Sequence, residues 1–197
     1  MAAVAYSQFT AHLVFADERR RTLDQRALVV TLGRMLGPNW LLRASLVRVL
    51  GGEINGGGRA VLDPGWSIGA QLSRRWSVDN WPALYLGASV ALAASWTTAS
   101  YEGETAAHDL MAADLRLGGV VGWTLAEVLT PYAAGRVFGG PVSWRTMSDG
   151  EAQAGTDRYH VQLAAGLSAR LPAGLYWTAE WAAVGEQALS SELGVRF

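Results

Sequence analysis

The sequence predicts an all-β fold: a closed, antiparallel, up-and-down transmembrane β-barrel of about ten strands, with eight strands as the alternative. Three observations predict it. Apolar residues alternate with small or polar ones along most of the chain, the gaps between the alternating segments are short and long in turn, and tryptophans lie near segment ends. The 197 residues suit a single domain, 1–197. A period of two is the period of a strand, whose successive side chains point to opposite faces.

The alternating segments follow one another along the whole chain. They are 4–16, 27–36, 40–50, 66–76, 84–96, 111–123, 131–138, 159–171, 175–183 and 189–197. In 66–76, for example, Trp66, Ile68 and Leu72 share one face, opposite Ser67 and Gln71. The first three segments fit less cleanly, and 131–138 is the weakest. Each is long enough to cross a bilayer as a tilted strand, and eight strands result if 131–138 and one neighbour are not strands.

The gaps between segments differ in length. Very short gaps occur at 37–39, 77–81, 126–130 and 172–174, and longer polar gaps at 17–25, 52–64, 97–109 and 139–156; a tight gap near 185–187 closes the last hairpin. Short and long connections in turn are typical of outer-membrane-type barrels, which have short periplasmic turns and long external loops. With ten strands, both termini are expected on the periplasmic side.

The nine tryptophans fall into two bands. Trp40, Trp76, Trp81, Trp123 and Trp177 lie near the short gaps, and Trp66, Trp96, Trp144 and Trp181 lie toward the long ones. Aromatic side chains with one apolar and one polar end collect at the two faces of a membrane, so the bands predict interfacial girdles. The alternative, ordinary core tryptophans, gives no reason for two bands.

The face opposite the apolar one is expected to line the barrel, and it carries most of the charge. The predicted interior polar residues are His12, Arg43, Arg75, Asp114, Arg116, Arg136, His160, Arg170, Glu180, Glu192 and Arg196, together with the bulky Tyr6, Tyr85, Tyr132 and Tyr176. Opposite charges on neighbouring strands can pair inside a closed barrel. Three arginines, Arg34, Arg48 and Arg74, fall on the lipid face near strand ends, where their side chains reach the headgroups at little cost.

The run from Leu189 to Phe197 resembles the C-terminal β-signal of bacterial outer-membrane proteins. Leu193, Val195 and Phe197 alternate toward a final aromatic residue, as in that signal. The resemblance implies a location in the bacterial outer membrane, contact with its lipids and lipopolysaccharide, and recognition by the barrel-assembly machinery. It does not assign a particular barrel family.

Several kinds of chemistry are disfavoured. A net charge of −1 predicts no nucleic-acid partner, and the lack of cysteine excludes thiolate chemistry. The glycines at 56–58 lack the context of a phosphate loop, and Ser148–Glu151 with Asp157 does not match a calcium loop. Arg19, Arg20 and Arg21 suit either lipopolysaccharide phosphates or a solvated loop. No metal and no cofactor is expected.

The sequence leaves three functions open. The first is a structural or interaction barrel whose interior is polar and largely filled by side chains, with an unspecified partner for its external loops. The alternative is a narrow, weakly anion-selective pore, since six interior arginines face three interior acids. An outer-membrane lipid- or peptide-modifying enzyme is the least favoured: His12, His160 and Asp114 suit acid–base chemistry, but they are equally expected in a hydrogen-bonded interior.

Overall fold

The computed structural model describes residues 1–16, 18–56, 58–101, 107–145 and 152–197. Asp17, Gly57 and the Ser148–Glu151 run lie outside the described residues. The strands are β1 (Ala2–Phe15), β2 (Arg20–Met35), β3 (Trp40–Asn55), β4 (Arg59–Leu62), β5 (Gly65–Val78), β6 (Trp81–Tyr101), β7 (Ala107–Trp123), β8 (Leu129–Gly139), β9 (Pro141–Arg145), β10 (Ala152–Asp157), β11 (Val161–Arg170), β12 (Leu175–Val184) and β13 (Gln187–Val195). One short 3-10 turn, Pro172–Gly174, precedes β12. No helix in these ranges is long and apolar enough to span a bilayer.

The strands form a closed antiparallel ring, as predicted. Around one end, β1, β2, β3, β5, β6, β7, β8, β11, β12 and β13 pair in sequence, and β13 pairs back to β1 from Ala2↔Val195 to Thr10↔Gln187. Closure satisfies every edge N–H and C=O, which lipid cannot do. This ring of about ten strands carries the connections 36–39, 79–80, 124–128 and 171–174, and we call its open side the turn end.

The barrel narrows toward its other end. The β12–β13 hairpin ends at Gly185 and Glu186, so beyond it β10 pairs directly with β1, from Leu13↔Asp157 to Phe15↔Gly155. At this level the ring is β1, β2, β3, β4, β6, β7, β9 and β10, which is eight strands. Both strand numbers considered from the sequence therefore occur, at different heights. We call the eight-stranded part the extension.

Most of the long polar gaps expected from the sequence are strand. Residues 20–25 belong to β2, 52–55 to β3, 97–101 to β6 and 152–156 to β10. The expectation of long loops was wrong for these residues. These residues are polar because the outer face of the strands in the extension carries polar side chains.

The polarity of the wall inverts along the barrel axis. Toward the turn end, the outer face is a belt of exposed apolar side chains, which includes Val4, Leu28, Val30, Leu32, Leu46, Ile68, Leu92, Leu117, Val137, Leu163, Leu189 and Leu193. In the extension most apolar side chains point inward, with Val61 as an exposed exception, and the outer face carries pairs such as Arg59 with Glu53 and Thr98 with Asp63. An apolar belt bounded by a polar outer wall is the surface expected of a membrane barrel.

Candidate functional site: the barrel interior

The interior of the extension is filled by an apolar plug. Its buried residues are Ala11, Leu13, Phe15, Leu23, Val49, Ile54, Ala60, Leu62, Ala99, Leu110, Val142 and Trp144. The Trp144 side chain is 0% exposed and stacks on Tyr101 with ring centroids 5.7 Å apart. Phe15 packs over Gly155, its pairing partner on the neighbouring strand β10, and its ring centroid lies 6.0 Å from that of Trp144. These side chains pack against one another in the interior of the extension.

One buried cation lies inside the plug. Arg21 is 3% exposed, and its guanidinium carbon lies 4.3 Å from the centroid of the Trp144 ring and 5.5 Å from that of Phe15. Its Nη1 donates a hydrogen bond to the Tyr101 hydroxyl at 3.3 Å. A guanidinium stacked on aromatic faces retains favourable electrostatic contacts without water, so Arg21 is compatible with the apolar surroundings.

Below the plug, a polar layer joins the strands from β7 to β12. It consists of Asp114, Arg116, Arg136, Gln162, Glu180 and Glu186. Arg136 donates two hydrogen bonds of 2.7 Å to the Glu180 carboxylate, one from each terminal nitrogen, and a third to the Gln162 side chain. Bidentate arginine–carboxylate pairs fix geometry as well as charge.

The other half of the polar layer depends on Glu186. Arg116 pairs with Asp114 and donates to Glu186 through Nη2 at 2.7 Å. Gln162 donates through Nε2 to the Glu186 backbone carbonyl at 2.8 Å, which links the two halves into one network. Since the members are half-buried or buried and mutually paired, the layer ties the short β12–β13 hairpin to the opposite wall.

A cavity of about 810 Å³ lies between the polar layer and the turn end. Its lining runs from Arg136 and Glu180 at the inner end to Pro38, Asn39 and the two chain termini at the outer end. The cavity therefore extends from the turn end to the polar layer.

Three tyrosines lie flat on the inner wall, each across a glycine of a neighbouring strand. Tyr85 covers Gly122, Tyr132 covers Gly166 and Tyr176 covers Gly194. A Cβ on any of these glycines would come within 2.4 Å of a tyrosine ring atom. The rings replace the missing side chains and leave the centre of the cavity open. Tyr132 also donates to Glu180 at 3.1 Å, which couples the wall to the polar layer.

Nine of the eleven predicted interior polar residues lie on the inner face of the ten-stranded ring. Asp114, Arg116, Arg136 and Glu180 form the polar layer, and Arg43, Arg75, Glu192 and Arg196 line the cavity. Arg170 shares the inward face of β11 with Ser168, a cavity residue. The sequence correctly assigned these residues because the belt strands keep an unbroken alternation.

His12 was assigned to the wrong face, and so was Tyr6. Ala11 and Leu13 of β1 are buried in the interior, so the side chains at even positions point outward, and Tyr6 is 41% exposed. His12 Nδ1 lies 3.2 Å from the Thr22 hydroxyl, and its ring meets Tyr159 edge-on. The error has a physical cause: Phe9, Leu13 and Phe15 look lipid-facing by pattern, but they belong to the extension, where apolar residues face inward.

The histidine–acid set considered from the sequence is not assembled. His160 is exposed and lines a surface pocket together with His12, and its Nδ1 lies 3.2 Å from the Phe138 carbonyl oxygen. Asp114 pairs with Arg116, and neither histidine ring is among its hydrogen-bond partners in the described residues. Across those residues, no three His, Asp or Glu side chains converge in a way that would hold a metal ion.

The tryptophan bands are on the outer wall, with one exception. Trp40, Trp66, Trp76, Trp81, Trp96, Trp123 and Trp181 are exposed, and Trp177 is half-buried, with Nε1 donating to the Ser191 hydroxyl. The assignment of Trp144 to a girdle was wrong, because it is the centre of the plug. Among the assembly-signal residues, Leu193 and Phe197 are exposed and Val195 is half-buried; their role in assembly stays a prediction.

The lipid-face arginines stack on the tryptophan bands. The Arg48 guanidinium lies 4.7 Å from the Trp66 ring centroid, and that of Arg74 lies 5.2 Å from Trp40 and 5.1 Å from Trp76. Arg34 is exposed near the end of β2. These positions agree with charged side chains held at the two edges of an apolar belt.

Glu186 and the plug were not anticipated, and the placement of Arg21 in a loop, solvated or against lipopolysaccharide, was wrong, because Arg21 is a buried residue of β2 inside the plug. Glu186 lies in a turn, where the alternating pattern does not assign a side chain to the inner or the outer face. Gly185 before it does indicate the turn. Nearby, Asp157 of β10 is in the extension, and burial, with the negative charges of Glu186 and Asp114, raises the pKa of its carboxyl to about 6.

Comparisons with known proteins identify the fold. The chain is similar to the translocator domain of the autotransporter NalP from Neisseria meningitidis, at 14% identity and a TM-score of 0.54, covering 100% of this chain and 88% of that one. It also matches the transport unit of the autotransporter AIDA-I from Escherichia coli (12%, TM-score 0.49, 100% and 89% covered) and an outer membrane channel from Pseudomonas putida F1 (13%, 0.46, 98% and 92%). No protein-family model and no curated protein matches the sequence. The chain has the fold of small outer-membrane β-barrels.

Proposed function

We propose that this protein is an outer-membrane barrel of structural or interaction type, whose closed interior supports a rigid extension on the outer side of the membrane. The observation that carries the proposal is that side chains occupy the interior at two successive levels. The first is the plug around Trp144, and the second, below it, is the polar layer around Arg136. A transport function would need a continuous water-filled path, and side chains occupy the interior at both levels.

The extension suits a partner-binding role. Its outer wall is polar and its side chains are tied to one another, as in the Arg59–Glu53 ion pair of 2.9 Å and the Thr98–Asp63 hydrogen bond of 2.9 Å. Its plug gives it a buried apolar core. Binding surfaces placed on rigid scaffolds lose little conformational entropy on association. Contact with lipopolysaccharide at the belt edge and recognition by the barrel-assembly machinery form part of the same proposal.

Planar-bilayer recording tests the closed interior. We expect no regular conductance steps from the purified wild-type chain once heat-modifiable gel migration has shown that it is folded. The variant Phe15→Ala/Arg116→Ala/Trp144→Ala removes large side chains from both closures, and we expect it to conduct more than the wild type. Stable, uniform steps from the wild type would contradict the proposal.

A narrow anion-selective pore is the second candidate, because arginines outnumber acids around the cavity. It requires the polar layer and the plug to open together. A reversal potential measured in a salt gradient distinguishes it, since a pore lined by this cavity would favour anions. Translocation, the role in the name of the NalP domain, would require a lumen that is wider than such a narrow pore. We also propose that the chain is not a hydrolase, because His12 and His160 line a surface pocket while Asp114 is paired with Arg116 in the polar layer.

A further inference from the structure

The cavity at the turn end carries a group of arginines with like charges close together. Arg43, Arg75 and Arg196 line it, and Arg75 lies near enough to Arg170 and Arg196 for their positive charges to act on it. These residues come from β3, β5, β11 and the end of β13, so the fold itself brings them together. Clustered like charges destabilise a protein unless something compensates for them.

Acidic partners for this group are scarce. Within the described ranges, none of the four guanidinium groups forms an ion pair with a carboxylate. Glu180 also lines the cavity, but Arg136 holds both of its oxygens. Glu192 is the other lining acid, and it lies beside Tyr176. Arg43 Nε is buried without a hydrogen-bond partner, which leaves a polar donor unsatisfied within the cavity wall.

Two of these guanidinium groups stack on the faces of tyrosine rings. The guanidinium carbon of Arg75 lies 3.8 Å from the Tyr85 ring centroid, and that of Arg196 lies 5.1 Å from the Tyr176 ring. A guanidinium stacked in this way keeps its N–H edge free to donate in its own plane. That edge matches the two oxygens of a carboxylate or a phosphate.

The size and shape of the cavity select the kind of ligand. A volume of about 810 Å³ falls within the range of roughly 300–1,000 Å³ that is usual for small-molecule sites. Part of its lining consists of the small residues Gly87, Ser89 and Gly118. A compact molecule that enters from the turn end meets the polar layer at the inner end of the cavity.

We infer that the cavity is a binding site for a small organic anion that carries two or more carboxylate or phosphate groups. The ligand enters from the turn end, and the edges of Arg75 and Arg196 bind its charged groups, with Arg43 and Arg170 contributing to the positive field. This site differs from an anion-selective pore because it needs no passage through the polar layer. It stands even if the scaffold role proposed above fails.

Isothermal titration calorimetry on the detergent-solubilised full chain tests the inference. Citrate and pyrophosphate serve as probes at low ionic strength, where salt screening is weak, and glucose serves as the uncharged comparison. We expect saturable binding of at least one anion with one site per chain and none of glucose. In Arg75→Gln/Arg196→Gln, the Kd should rise at least tenfold.

The control variant Arg59→Gln/Arg158→Gln also removes two positive charges, but from the extension. We expect its Kd to lie within twofold of that of the wild type. Circular dichroism and heat-modifiable migration verify that both variants fold. The inference is overturned if neither anion shows saturable binding, or if both double variants weaken binding equally. It is also overturned if a hexaglutamate peptide binds while citrate and pyrophosphate do not.

Discussion

At the scale of single residues, the contact between Tyr132 and Gly166 shows how the wall of this barrel is built. The ring lies on the glycine, and the hydroxyl bonds to Glu180. Gly166→Ala would place its Cβ 2.3 Å from the ring and push Tyr132 away from the polar layer. Overpacking of this kind costs about 1–3 kcal/mol. We expect the thermal midpoint, followed by circular dichroism in detergent, to fall by several degrees.

The neighbouring strand offers a matched control for this prediction. At Gly135 an added Cβ would meet only Leu163 Cδ2, at an ordinary 3.6 Å. Gly135→Ala should therefore leave the midpoint unchanged or raise it slightly, because alanine loses less backbone entropy on folding. Equal losses in the two variants would show that the Tyr132 contact is not the cause.

Asp157 gives the residue-scale prediction for pH. Its carboxyl has a pKa of about 6 in the folded chain against 3.8 in a model peptide. The folded state therefore binds the proton more tightly, and the contribution of this group to stability falls as pH rises from about 4 to about 6. Asp157→Asn removes that dependence. We expect the variant and the wild type to melt together at pH 4, and the variant to melt higher at pH 7. A constant difference across this range would contradict the assignment.

At the scale of elements, the alternating pattern predicts the belt strands well and the extension poorly. Segments such as 66–76 and 84–96 keep one apolar face against lipid for their whole length, so their inner residues follow directly. Beyond the belt, the polarity of the same strands is inverted: apolar side chains lie mostly on the inner face and polar side chains on the outer face. Local sequence contains no marker for the height at which water replaces lipid outside the barrel. That is why His12 and Trp144 were placed on the wrong side, while Arg43 and Arg136 were placed correctly.

The change from ten strands to eight depends on one short hairpin. Its length follows from Gly185, whose φ of 80° reverses the chain after β12. A Cβ there would also meet the Val161 carbonyl oxygen. Sequence shows this turn, but whether β10 then pairs with β1 depends on the shape of the whole ring. The plug and the polar layer are consequences of that pairing, so they lie beyond what the pattern alone predicts.

The turn that precedes β12 carries an element-scale prediction. Ala173 adopts φ 58° and ψ 30°, a left-handed conformation that costs a residue with a Cβ about 1–2 kcal/mol. Gly174 follows with φ 75°. Two consecutive left-handed residues are typical of a type I′ turn, which favours Asn-Gly. We expect Ala173→Asn and Ala173→Gly to raise the thermal midpoint by a few degrees.

Ala183 provides the comparison for that prediction. It is an exposed residue of the extended strand β12, where alanine is not strained. Ala183→Gly should lower the midpoint, because glycine in a strand loses more entropy on folding. If glycine at 173 also lowers the midpoint, then the left-handed backbone at that position does not cost stability.

At the scale of the whole molecule, the inversion of wall polarity divides the barrel into a belt and an extension. Which end of the barrel faces the cell exterior can be tested. Short turns face the periplasm in barrels of this class, so we expect the extension outside the cell. The chain lacks cysteine, so each introduced thiol is unique. Arg59→Cys lies at the tip of the extension, and Asp79→Cys lies in the exposed turn between β5 and β6.

A membrane-impermeant maleimide on intact cells reports which end is outside. We expect the Arg59→Cys variant to label at least tenfold more than Asp79→Cys, and the two to label equally after the outer membrane is permeabilised. The reverse pattern would put the arginine-lined cavity on the cell surface and the extension in the periplasm. The anion site would then receive its ligand from the medium, so this one measurement decides which compartment supplies the cavity.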